Sequence, residues 1–248
     1  MKREYHRWYS PRLGIDMGVI VHGHWGQPIL GFPTSAGDET ELEGQSMIGA
    51  LADFIEGGKI KFFSINSING LSFYNKGAHP FHRSYVQSVF DSYLREEVVP
   101  FIWDNCQSPG IAVSTMGASF GAYHAANSLF KHPDVIKRCF AMSGVYDVRN
   151  FMDGMYDDNF YFNNPVDYLA NLNDPWVLGQ LACATSTSAR AQVNGRTAAP
   201  RIDCLRSFPA RESAIPWTTG VLKAATTGLI GSTRCANTSP ASSKPLTS

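Results

Sequence analysis

Five consecutive residues of this chain, Gly117-Ala118-Ser119-Phe120-Gly121, have the types and spacing for nucleophilic chemistry. Upstream, Gly110-Ile111-Ala112-Val113-Ser114-Thr115-Met116 is apolar enough for a buried strand. Downstream, Ala122 to Phe130 reads as a helix rich in small residues. A serine between glycines at a strand-to-helix junction is the G-x-S-x-G nucleophile elbow. Glycines there let the backbone turn sharply and let helix and strand approach closely, so the hydroxyl projects from the turn. Such a serine performs acyl transfer: Oγ attacks an acyl carbonyl, an acyl-enzyme forms, and water releases it. The competing account is an incidental Gly-rich turn, and the strand and helix on either side favour the elbow.

Acyl transfer needs two preorganised N–H donors for the oxyanion. The first is the amide after the nucleophile, that of Phe120. The second belongs to the loop after the third strand, where Phe32-Pro33-Thr34-Ser35-Ala36-Gly37 stands, so the amide of Thr34 or Ser35 is the candidate. The same stretch also reads as a plain polar turn.

Other conspicuous residues have blander readings. His124 falls a little more than one helical turn after Ser119 and is expected to pack beside the elbow, not to face its hydroxyl. His22, His24, His79 and His82 are expected in loops and precede the nucleophile, the wrong order for its base. His132, before Pro133-Asp134, is expected to be exposed. Trp25, Phe73 and Tyr74 suit either an acyl or alcohol pocket or simple core packing. Asp157, Asp158 and Asp167 read as loop caps.

The elements that must position these residues alternate along the chain. Gly18–Val21 and Pro28–Phe32 read as neighbouring strands. Met47, Ile48, Leu51, Phe54 and Ile55 predict one helix over 46–56, ended by Gly57-Gly58. A strand follows at Ile60–Ile65, a helix over 85–102, then the elbow strand and its helix, and a strand over 138–146. That order implies an α/β fold: a mostly parallel sheet with helices on both faces, entered through an N-terminal antiparallel hairpin.

Composition constrains the class further. The 248 residues suit one α/β domain, and Lys+Arg equals Asp+Glu at 21 each, so charge argues for neither nucleic acid nor an anionic membrane as partner. The five cysteines are scattered without a C-x-x-C pair, which speaks against a metal site. Met1 to Trp8 lacks the apolar core of a secretion signal and no 18-residue apolar span follows, so a cytoplasmic location is the expectation.

Residues 1–181 resemble the esterase D-like branch of the α/β-hydrolase superfamily. The resemblance rests on Gly23-His24-Trp25-Gly26-Gln27-Pro28, Phe32-Pro33-Thr34-Ser35-Ala36-Gly37-Asp38, the run from Gly117 to Asn127, and Ser143-Gly144-Val145-Tyr146-Asp147. Asn163 to Leu169 and Asp174-Pro175-Trp176 continue it. It implies hydrolysis of a small-molecule ester by a Ser–His–acid triad, with no metal or organic cofactor.

In that fold the triad runs nucleophile, acid, histidine along the chain. No histidine follows His132. Asp147 is a candidate acid, although the family more often supplies it one strand later. From Ala182 to Ser248 the chain turns rich in Ala, Ser, Thr, Arg and Pro and lacks a convincing strand or a long amphipathic helix. One reading of 182–248 is a low-complexity or disordered tail. Another is a shifted frame that begins between residues 181 and 191, so that the last strands and final helix of the domain are missing. Read from the third base of each codon, Gln192–Thr197 permits G-Q-W-E-D, and Trp217–Gly231 permits D-Y-W-G-x-E-S-S-H-D-W-P-Y-W. An acid would then lie over Gly195-Arg196 or the next pair, and a histidine over Ala225-Thr226. Two expectations follow: a serine carboxylesterase whose triad is written partly in another frame, or a catalytically inactive hydrolase relic that survives as a binding module.

Overall fold

The computed structural model describes residues 1–35 and 37–189, with the side chains of 185–189 excepted. Two strands, β1 (Arg3–Ser10) and β2 (Ile15–His22), form an antiparallel hairpin. Then come β3 (Gln27–Phe32), three short helices α1 (Glu41–Gly44), α2 (Met47–Ala50) and α3 (Ala52–Glu56), and β4 (Ile60–Ile65). A long helical stretch consists of α4 (Pro80–Tyr93), a π-helical turn (Leu94–Val98) and α5 (Val99–Asn105). The elbow unit is β5 (Val113–Ala118) and α6 (Phe120–Lys131), followed by β6 (Ile136–Met142). Short helices α7 (Asp158–Tyr161) and α8 (Pro165–Tyr168) precede α9 (Pro175–Cys183) and β7 (Thr185–Ala189).

Among the described residues the sheet has seven strands in the order β1-β2-β4-β3-β5-β6-β7. The pairs β1/β2 and β2/β4 are antiparallel, and the rest are parallel. Both faces are covered, as a parallel sheet requires. Side chains alternate along each strand: Ile29 and Phe62 pack with Leu42, Ile48, Leu51 and Ile55 of α1–α3 and the turn between α2 and α3. Leu30 and Phe63 face the other way, into the cluster that contains Phe90 and Tyr93 of α4 and Ala125 of α6. A third cluster, with Phe73, Phe120, Tyr123 and Phe160, lies beside the start of α6.

Several expectations are corrected. β2 and β3 are not neighbours, because β4 lies between β3 and the hairpin. The hairpin is built from β1, whose charged residues concealed it: Arg3, Tyr5, Arg7 and Tyr9 are exposed while Glu4, His6 and Trp8 are half-buried, the alternation of an edge strand. The single helix over 46–56 is two short helices, since Ser46 is left-handed (φ 61°) and Leu51 interrupts the run at φ −100°, ψ 2°. The elbow strand begins three residues late at Val113, and β6 ends at Met142. Beyond Ala182, where no convincing strand was expected, β7 pairs in parallel with β6, Arg138 opposite Thr185. The residues re-read in another frame, Gln192–Thr197 and Trp217–Gly231, lie outside those described.

Candidate active site

Ser119 stands between β5 and α6 with φ 54° and ψ −118°, a backbone conformation that L-residues rarely adopt. Holding a non-glycine residue there costs about 1–3 kcal/mol, which the surroundings must supply. They do so by close packing. A Cβ at Gly117 would lie 2.2 Å from the Gly121 carbonyl oxygen, and one at Gly121 would lie 2.5 Å from the carbonyl oxygens of both Phe32 and Pro33. The elbow glycines therefore let α6 start against β5 and against the loop that follows β3. The Ser119 amide donates to the Met142 carbonyl at 2.9 Å, which fixes the elbow to the end of β6. Beside it Ser143 is also left-handed, at φ 52°. Ser119 precedes the first turn of α6, whose leading N–H groups, Phe120 first, have no intrahelical acceptor and favour negative charge.

The loop after β3 is held from several sides. Thr34 donates its amide to both Glu41 carboxylate oxygens (3.3 and 3.2 Å) and its hydroxyl to Glu41 Oε1 (2.7 Å). A Cβ at Gly37 would overlap that carboxylate, so the glycine leaves room for the Thr34–Glu41 contact. Ser67 Oγ donates to the Gly37 carbonyl at 2.8 Å, and Tyr74 OH donates to Ser35 Oγ at 2.7 Å. Of the two amides singled out from sequence, Thr34's is engaged by Glu41; Ser35's has no acceptor among the described residues. Ala36 is not among them.

The aromatic residues divide. Phe73 is fully buried in the core, and Trp25 is exposed beside Gly58, in the loop before β4. Tyr74 is part-exposed, with its ring edge-on to Phe120 at 5.1 Å and near Phe151 at 5.1 Å. Phe151 in turn lies 5.3 Å from Phe120, so Tyr74 and Phe151 form an aromatic wall next to the elbow. Arg83 holds that wall: this buried guanidinium donates to the Ala78 and Phe151 carbonyls (2.9 and 2.7 Å) and to Asp153 (2.7 Å).

All seven histidines lie in the described residues, and no side chain there hydrogen-bonds the Ser119 hydroxyl. His124 is buried beside the elbow, as expected, with its ring stacked on Phe32; burial pushes its pKa down to about 3. His22 is not in a loop: it ends β2, buried, with Nε2 2.5 Å from Glu43. His79 caps α4 and His82 lies within it. His132 is half-buried rather than exposed, because its Nε2 meets Asp91 at 2.9 Å. That imidazole–carboxylate pair sits at the far end of α6, thirteen residues from Ser119 and so about 20 Å away.

Asp147 accepts from the Arg149 amide (3.2 Å) and guanidinium (2.8 Å), with no imidazole on it. Asp157 caps α7 through the Phe160 amide, and Asp167 accepts from Arg149, Tyr156 and Asn164. Among the described residues no cluster of His, Cys, Asp or Glu could hold a metal, and no helix is long and apolar enough to cross a membrane.

A family model described as "Putative esterase" matches residues 34–198. No curated protein matches the sequence. Among solved structures, a ferulic acid esterase is 14% identical over 77% of this chain and 78% of its own, with a TM-score of 0.57. An S-formylglutathione hydrolase from Agrobacterium tumefaciens is 11% identical over 76% and 86%, with a TM-score of 0.53. The fluorophosphonate-binding serine hydrolase F of Staphylococcus aureus is 13% identical over 93% and 99%, with a TM-score of 0.52. At these identities the likeness is one of fold.

Proposed function

This chain belongs to the "Putative esterase" family of ester hydrolases with the α/β-hydrolase fold, and we propose that Ser119 is the nucleophile of a serine carboxylesterase reaction on a small-molecule ester. The observation that carries this reading is the strained backbone of Ser119 at the start of α6, φ 54° with both flanking glycines sterically required. In the proposed reaction Ser119 Oγ attacks the acyl carbonyl as its proton passes to a base. The carbonyl oxygen takes the negative charge and receives the Phe120 and Ser35 amides. The tetrahedral adduct collapses, the alcohol leaves with the proton, and water then attacks the acyl-enzyme by the same route.

None of the seven histidines supplies the base in this scheme. On the shifted-frame reading the base would be an imidazole encoded over Ala225-Thr226, and the acid would lie over Gly195-Arg196 or the next pair. Asp147 is the weaker acid because Arg149 already holds it. A second reading is an inactive hydrolase fold that binds but does not turn over, favoured by the lack of an imidazole on Ser119 among the described residues. Sequencing the source DNA across codons 175–248 separates the frames. A fluorophosphonate probe on folded protein separates the readings: labelling that vanishes in Ser119→Ala supports the activated nucleophile, and no labelling supports the inactive fold.

A further inference from the structure

The two amides assigned to the oxyanion hole come from different segments, Phe120 from α6 and Ser35 from the loop after β3, and something must fix their separation. A buried polar chain runs between these segments. His124 lies one turn into α6, and its Nε2 meets Asn69 Oδ1 at 2.7 Å. Asn69 is fully buried in the turn after β4, and its Nδ2 donates to the Thr34 carbonyl at 3.3 Å. Thr34 is bonded to Ser35 through that same carbonyl, so the chain ends at the peptide group that carries the Ser35 amide.

The donor roles follow from these contacts. Asn69 Nδ2 donates to a carbonyl, so Oδ1 is the acceptor facing His124, and the histidine must carry its proton on Nε2. Its ring is enclosed by Phe32, Phe90, Phe120 and Tyr123, which favour the uncharged form. An uncharged donor suits this place, since a fixed tautomer points one N–H at one oxygen.

We propose that His124 is a positioning residue of the oxyanion hole, acting through Asn69 on the Thr34–Ser35 peptide. The proposal rests on the reading of Ser119, Phe120 and Ser35 given above. It gives the elbow histidine a task other than base catalysis: it makes one helix set the location of both donors, its own first N–H directly and the loop's through two hydrogen bonds.

The test is equilibrium binding of phenylboronic acid to the full chain. Boron bonds to Ser119 Oγ, becomes tetrahedral and anionic, and places an oxygen in the hole, while the serine proton leaves to solvent. His124→Leu and Asn69→Leu remove the chain's donors, and each is expected to weaken binding about tenfold or more, the scale on which misplaced groups lose effect. His124→Gln extends an amide N–H to about the reach of Nε2 and is expected to recover most of the loss. Equal losses in the Gln and Leu variants, or unchanged binding in both Leu variants, would overturn the proposal. Amide hydrogen exchange at Thr34 and Ser35 is the second readout, expected to accelerate in the two Leu variants and not in His124→Gln. If the unmodified chain binds no boronate, the reading of Ser119 fails and the exchange pattern alone decides whether the chain positions the loop. If His124→Leu does not fold, Asn69→Leu and His124→Gln decide.

Discussion

Tyr74 OH donates to Ser35 Oγ at 2.7 Å, across 39 positions of sequence. The same turn delivers Asn69 to the Thr34 carbonyl, and the Tyr74 amide donates to the Asn69 carbonyl at 3.0 Å, so one short segment holds the loop at two points. Tyr74→Phe keeps the ring against Phe120 and removes the tether. Because Tyr74 is part-exposed, water replaces the lost bond and stability falls by less than about 1 kcal/mol. Fluorophosphonate labelling of Ser119 is expected to slow by about three- to tenfold. Unchanged labelling would separate the tether from the chemistry.

Gly121→Ala tests the close approach of α6 to the loop. The added Cβ meets backbone oxygens at 2.5 Å, which cannot swing aside, so the loop or the helix must move. The expected loss is about 1–3 kcal/mol by urea unfolding. Gly49→Ala in α2 meets nothing within 4 Å and is expected to be neutral or to stabilise by up to about 1 kcal/mol. Similar midpoints for the two variants would contradict the packing.

Acid should destabilise the protein well above the carboxylate range. The His124 pKa is about 3 in the folded chain and near 6.5 unfolded, so the unfolded chain binds the extra proton. Its stabilising effect is intact above pH 6.5 and is lost progressively as pH falls toward 3. Between pH 7 and 5 the loss is about 2 kcal/mol from His124 alone. Burial lowers the His22 pKa too, which adds a loss of the same sign. Urea unfolding at pH 7 and 5 measures the sum, and His124→Gln should remove most of its share. Equal stability at both values would mean that His124 is accessible to protons.

Arg83→Lys keeps the charge but not the fork. One ammonium replaces a planar group that serves two carbonyls and a carboxylate from different directions. A loss of about 1–3 kcal/mol is expected, together with a looser Phe151 beside Phe120. Thermal unfolding and the line width of the Phe151 ring signals check both effects.

The parts of the fold that the sequence made legible were those with a single strong pattern. Ile60–Ile65 is mostly apolar and buried along its whole length because both faces of β4 are covered, and Gly117–Gly121 announces a turn in which glycine has no substitute. Strand order was not legible: Gly18–Val21 and Pro28–Phe32 are close in sequence, yet β4 parts them, and pairing is decided by the whole sheet. β1 escaped notice because Arg3, Glu4 and Arg7 look like a polar end until their alternation is matched to an edge. Asn69 carried no signal at all: an asparagine near Gly70 reads as turn chemistry, and only the fold brings it to Thr34 and His124. His132 misled for a similar reason, since its partner Asp91 lies on another helix.

The placement of β3 also has a consequence for the order of events during synthesis. Its two neighbours, β4 and β5, are both translated after it, and β5 ends only at Ala118. From Phe32 to Ala118 a ribosome needs on the order of 10 s, and for that interval the strand leading to Thr34 and Ser35 emerges without its full set of partners. Ser119 itself is the next residue made. A nascent chain therefore cannot complete the setting of the Thr34–Ser35 loop ahead of Ser119, and an apolar strand waits with one edge unpaired until β5 arrives beside it.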